Sequence, residues 1–166
     1  MSSPEIYLHP SYSQILSVAR DMREWDAAEI YPMLRSKTPE DLAAMSLAAT
    51  ITGIVRTDHP IICFGFNEAG PKFYNAFMFA TDEYRDGILT LTRFARREMI
   101  PFLFEELGAN RIEARSMLGH TSAQAWMRTL GAIDECEIID RGENRETYIV
   151  FSITRTAYER GLTSKK

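Results

Sequence analysis

The chain has 166 residues, 45% of them hydrophobic, and a formal net charge of −4. A chain of about 150 residues removes roughly 70% of its unfolded surface from water, so one core and a single domain over 1–166 are expected, without disulfide staples. The acidic balance excludes nonspecific affinity for nucleic acid, which needs clustered lysine and arginine to displace counterions, and no apolar run reaches the roughly 20 residues that span a bilayer. Met1 to Pro10 lacks the basic start and apolar core of a secretion signal. Cys63 and Cys136 lie in apolar, strand-like runs and read as buried thiols, which places the protein in a reducing, cytoplasmic setting.

In chain order, Gln14 to Met22 is a short strand candidate. A helix start follows: Asp26 is placed to cap, Glu29 to return the bond, and Trp25 to staple onto Ile30. Thr38 with Pro39, Glu40 and Asp41 repeats that logic and opens a second helix reaching about Thr50. Strands are expected near Gly53 to Thr57, over Pro60 to Glu68 and over Lys72 to Thr81, the last two joined by the turn-rich Asn67 to Pro71. Phe73 to Phe79 is apolar at nearly every position, the pattern of a central strand covered on both faces.

Asp86 to Leu107 is amphipathic with Leu89, Phe94, Met99, Phe102 and Leu103 inward, Pro101 as a kink and Gly108 as the stop. Arg93, Arg96 and Arg97 read as its solvated face. Arg111 to Met117 alternates as a strand. A short helix runs from Thr121 to Leu130, capped by Thr121 or Ser122 and ended by Gly131. The strands Cys136 to Asp140 and Glu146 to Thr154 form a closing hairpin through Arg141 to Arg145, and the tail from Thr163 is expected to be disordered. The core then spans about 14–155, with 1–10 and 160–166 peripheral. His9 and His59 are not placed with acids or cysteines at ligand spacing, so no metal site is expected.

This order of elements resembles the GNAT (Gcn5-related N-acetyltransferase) superfamily, and two motifs sit at the matching places. Thr81-Asp82-Glu83-Tyr84-Arg85-Asp86-Gly87-Ile88 looks like the family's acidic-aromatic-Arg-Gly-x-Gly turn between the central strand and the long helix. His120 to Ala132, ending Leu130-Gly131-Ala132, resembles the helix that flanks the pantetheine arm. The form Ala-x-x-Trp-Met-x-x-Leu-Gly, with Arg23, Asp26 and Glu29 and with Arg111 to Ala114, is most similar to the GNAT-like proteins of tailed phages, some of which are internal virion or assembly proteins.

The resemblance implies an α+β fold with a mixed sheet of six to seven strands and about four flanking helices. It implies acetyl-CoA or coenzyme A as cofactor, bound by Met78, Phe79, Ala80, Thr81, Tyr84, Arg85, Asp86, Gly87, Ile88, His120 and Ala123. Helix-start amides suit a pyrophosphate. Glu113 is the expected general base, with His120 and Tyr84 available for proton transfer.

Two functions stay open on this reading. One is an acetyl-CoA-dependent N-acetyltransferase acting on an amine of a protein or small molecule. The other is a noncatalytic GNAT-fold phage protein, in the virion or host cytoplasm, serving assembly or host-protein binding. The second is motivated by a single glycine in the turn and by Met127 standing where many members carry a proton-donating tyrosine. Exposed edges in the closing hairpin make a homodimer an expectation.

Overall fold

The computed structural model describes residues 2–163. Ser164 to Lys166, most of the tail expected to be disordered, lie outside the described residues, and Thr163 ends a helix. The elements in order are β1 (Glu5–Leu8), α1 (Tyr12–Arg20), α2 (Glu24–Ile30), α3 (Pro39–Leu47), β2 (Ile51–Arg56), β3 (Pro60–Gly70), β4 (Phe73–Ala80), α4 (Ile88–Phe94), β5 (Arg111–Met117), α5 (Thr121–Thr129), β6 (Ile133–Ile138), β7 (Tyr148–Thr154) and α6 (Arg155–Thr163). Short 3₁₀ turns cover Tyr31–Met33 and Asp82–Asp86. The strands form one mixed sheet in the order β1-β2-β3-β4-β5-β7-β6, so the apolar strand β4 is central, as its composition predicts. Six α-helices, rather than about four, occur among the described residues.

The chain divides into two compact units, Met1–Asn67 with Ala76–Phe94, and Glu68–Asn75 with Ala95–Lys166. In the first, β1, β2 and β3 form an antiparallel ladder, with Glu5 opposite Arg56 and Ile54 opposite Cys63. Its core gathers Ile15, Val18 and Ala19 of α1, Leu42 and Ala43 of α3, Ile54, Cys63 and Phe79. The strand expected over Gln14 to Met22 is a helix instead. Ser11 caps it by accepting from the Gln14 amide while the Gln14 side chain bonds back to Ser11, and Ile15, Val18 and Ala19 fall on one helical face. The Thr38 cap stands as read: its hydroxyl accepts from the Asp41 amide, with Pro39 in the first turn.

In the second unit β5 pairs antiparallel with β7, and β7 with β6, while Phe73–Asn75 of β4 run parallel to Arg111–Glu113 of β5. The expected long helix continues past α4 as two wider π-helical turns, Ala95–Met99 and Phe102–Glu106, on either side of Pro101. Met99 and Leu103 are buried as read. Leu89 and Phe102, read as inward, are exposed: Leu89 sits two residues from the buried Leu91, and the wide turns pass the apolar face from Phe102 to Leu103 and Phe104. Gly108 and Gly131 take positive φ, 67° and 95°, and end their helices as expected.

α6 was not foreseen. It packs through Tyr158, whose ring stacks on Phe104 at 4.5 Å between centroids, and through Arg155, which donates to the Phe104 carbonyl. Burial, and then the hydrogen bond to Glu105, push the Tyr158 hydroxyl up to about 12. Cys63 is buried, and that burial pushes its thiol up, whereas Cys136 is exposed on the edge strand β6, contrary to its reading as a buried thiol.

Across β5, β7 and β6 runs a network centred on Glu135. It takes both terminal nitrogens of Arg111 and the hydroxyl of Ser152, and those contacts, Arg111 first, lower its carboxyl from 4.5 to about 2. A carboxylate depressed in the folded state adds stability above its unfolded pKa and loses it as pH falls through the folded value. The stability gap between the wild type and Glu135→Gln, measured by urea unfolding, should therefore be full at pH 6 and shrink between about pH 4.5 and pH 2. A gap unchanged at pH 2.5 would refute that linkage.

Candidate functional site

Two readings of α2 are corrected by its start. The helix begins at Glu24 with Arg23 at the cap position and no side-chain cap, so Asp26 lies inside the first turn rather than before it. Trp25, expected to staple the helix, is half exposed. Asp26 itself is buried, its side chain 3% exposed, and is held by Arg23 through a forked pair: Nε donates to Oδ2 at 3.0 Å and Nη2 to Oδ1 at 2.6 Å. The same Oδ2 accepts from the Ala80 amide at 2.8 Å. The Arg23 amide donates to the Ala80 carbonyl, also at 2.8 Å, and Met22 forms an antiparallel bridge with Thr81.

Both main-chain groups of Ala80 are thus taken by the junction between α1 and α2. The next residue points the other way: the Thr81 amide donates to the Ile61 carbonyl of β3. Successive residues of a strand alternate the edge to which their N–H and C=O point. Met78, in phase with Ala80, therefore presents its main-chain donor and acceptor on the edge away from β3, and Phe79 shares the phase of Thr81. The Phe79 side chain is buried in the core of the first unit, while Asn75 to Met78 remain only half-buried although β4 is the fourth of seven strands.

Beyond β4 the chain turns sharply. Thr81 caps the 3₁₀ turn through its hydroxyl, which accepts from the Glu83 amide, and its carbonyl accepts from the Tyr84 amide. The Gly87 amide then bonds the Tyr84 carbonyl, and the Leu91 amide bonds the Gly87 carbonyl, which makes Gly87 the residue preceding α4. The amides of Ile88, Leu89 and Thr90 are those for which a helix beginning there has no acceptor of its own. Gly87 earns its place by packing: a Cβ there would come within 2.8 Å of Val55 Cγ1 and 3.0 Å of Ile61 Cδ1. Tyr84 is half-buried under the Arg23 guanidinium, 4.1 Å from its ring centroid, and Arg85 lies 5.9 Å from the same ring. Asp82, Glu83, Arg85 and Asp86 are exposed, and Glu83 pairs with His59 at 3.1 Å.

The remaining named residues belong to the second unit. Glu113 gives one oxygen to Arg111 at 2.9 Å and the other to Arg115 at 3.3 Å, so both are engaged by guanidinium groups. His120 is buried and takes the cap position of α5, its carbonyl accepting from the Gln124 amide, whereas a cap by Thr121 or Ser122 was expected. Gly119, at φ 95°, makes the left-handed step from β5 into that helix, and the Gln124 side chain ties back to the Met117 carbonyl. Ala123 is half-buried on α5.

The strand pairing brings Met78, Ala80, Thr81, Tyr84 and Gly87 onto one continuous stretch with Arg23 and Asp26. The sequence marks Arg23 as part of a family-like pattern, and Asp26 as part of that pattern and as a helix cap. The pairing of Asp26 with an amide 54 positions away leaves no local signal.

No protein-family model and no curated protein matches the sequence. Solved structures do match in fold. A GNAT-family acetyltransferase from Bacillus anthracis superposes with a TM-score of 0.69 at 13% identity, over 92% of this chain and 95% of that one. A ribosomal-protein-alanine acetyltransferase from Vibrio fischeri gives 0.70 at 17% identity, over 93% and 94%. A chimeric spermidine N-acetyltransferase from Vibrio cholerae gives 0.68 at 11% identity, over 93% and 98%. Across nearly its whole length, therefore, the chain has the mixed α/β fold of the GNAT acetyltransferases.

Proposed function

We propose that the protein is a GNAT-type N-acetyltransferase that uses acetyl-CoA to acetylate an amine. The observation that carries this reading is the partly exposed stretch Asn75–Met78 in the central strand, followed at once by the Thr81–Gly87 turn into α4. A donor and acceptor on Met78 suit the amide-bearing pantetheine arm. Helix-start amides at Ile88, Leu89 and Thr90, with Arg85 in the turn that precedes them, suit the pyrophosphate. When bound, acetyl-CoA supplies a thioester whose acetyl group passes to the amine, with a C–N bond formed and the C–S bond broken. The work of this chain is to orient that carrier through main-chain groups and to keep its charged end at the turn. Tyr84, in the turn itself, is the side chain we assign to returning a proton to the leaving thiolate.

Isothermal calorimetry with acetyl-CoA and with CoA tests the reading: micromolar binding supports it, and no heat at millimolar ligand overturns it in favour of a noncatalytic assembly or host-binding role. Acids at the turn oppose a bound pyrophosphate, and exposed charges at a helix start are worth about 0.3–1 kcal/mol. Asp86→Asn should accordingly tighten acetyl-CoA binding about two- to fivefold at low salt, a gain that shrinks as salt rises. Unchanged affinity would remove the turn from the binding surface.

A further inference from the structure

Resting on the reading just given, we propose that Arg23 and Asp26 are positioning residues, a buried clamp that sets the end of β4 and the ring of Tyr84 so that the turn can receive the phosphorylated carrier. Ala80 is the last residue of β4, and there the amide and carbonyl find Asp26 and Arg23 where a strand partner would otherwise stand. Thr81 is pinned on its other side by Ile61 of β3. The point at which the strand becomes the turn is therefore held from both edges, and Met78 lies two residues upstream of it.

The guanidinium adds a second function. It forks onto Asp26 with Nε and Nη2 while its carbon lies over the Tyr84 ring, so one planar group links α2, the end of β4 and the middle of the turn. Lysine offers neither the fork nor the flat face. A buried ion pair is a poor means of stabilising a core, because apolar residues of equal volume serve as well. What apolar residues cannot do is satisfy the Ala80 amide and carry a planar cation to Tyr84. Geometry at this point matters because small displacements of a positioning group cost binding and rate steeply.

The test compares acetyl-CoA binding by calorimetry in the full-length wild type, Arg23→Lys, Tyr84→Leu and the double variant Arg23→Gln with Asp26→Asn. The double variant keeps an acceptor for the Ala80 amide and removes both charges of the Arg23–Asp26 pair together. Expected are a Kd raised at least tenfold in the double variant and in Tyr84→Leu, a smaller rise in Arg23→Lys, and in all three an unfolding temperature close to that of the wild type. A role confined to stability would move the unfolding temperature and leave Kd unchanged. Wild-type binding with unaltered Kd in the folded variants overturns the clamp and leaves the acetyltransferase reading standing, whereas a wild type that binds nothing overturns both. Should the double variant fail to fold, Arg23→Lys decides alone, since it keeps the charge and removes only the fork onto Asp26 and the flat face over Tyr84.

Discussion

Asp26→Ala should lower the unfolding free energy by about 3–5 kcal/mol, because it strips a buried guanidinium of its counter-charge and leaves it uncompensated. The Ala80 amide loses its acceptor in the same substitution. For a domain of this length each kcal/mol corresponds to about 2–4 °C, so a fall of roughly 6–20 °C in Tm is expected. Asp26→Asn should cost less, since the amide oxygen still accepts from Ala80. Equilibrium urea unfolding of the two variants beside the wild type checks the ranking, and a loss below 1 kcal/mol for Asp26→Ala would show that the pair is not buried as described.

The second large effect is expected at Gly65, in the middle of β3 opposite Thr52. A Cβ there would lie 2.3 Å from the Ile51 carbonyl oxygen and 2.5 Å from Cζ of Phe77. The phenyl ring can rotate away, but the carbonyl belongs to the neighbouring strand and can move only with it. Gly65→Ala should therefore cost about 3 kcal/mol, the upper end of the usual range for overpacking. Gly161 is the control: in α6, with nothing within 4 Å of its would-be Cβ, Gly161→Ala should gain about 0.5–1 kcal/mol from reduced freedom of the unfolded chain. Equal effects at the two positions in thermal or urea unfolding would refute the steric account.

The comparison of two helix starts shows which features can be read without coordinates. Thr38-Pro39-Glu40-Asp41 and Trp25-Asp26-Ala27-Ala28-Glu29 carry similar cap signals, and only the first acts as a cap. A threonine hydroxyl reaches just three residues, so its partner is settled by nearby sequence. Asp26 instead answers to Ala80, on a strand that the fold brings against the α1–α2 junction. The error at Gln14 to Met22 differs in kind, since Ser11, Gln14 and the spacing of Ile15, Val18 and Ala19 are all local helix signals. β1 was missed because its four residues are mostly exposed and show no apolar period, and it exists through its pairing with β2.

Patterning of apolar residues determined that β4 is central, that β5 alternates, and that turns fall at Gly108, Gly131 and Arg141 to Arg145, because each depends on contacts or dihedral limits within a few residues. Tertiary structure alone decided that Ala80 is met by Arg23 and Asp26, that Leu89 and Phe102 face outward, and that Glu135 is held by Arg111 and Ser152. Those outcomes turn on which groups meet across long stretches of chain, and a buried charge or main-chain amide takes whatever partner the fold places within about 3 Å.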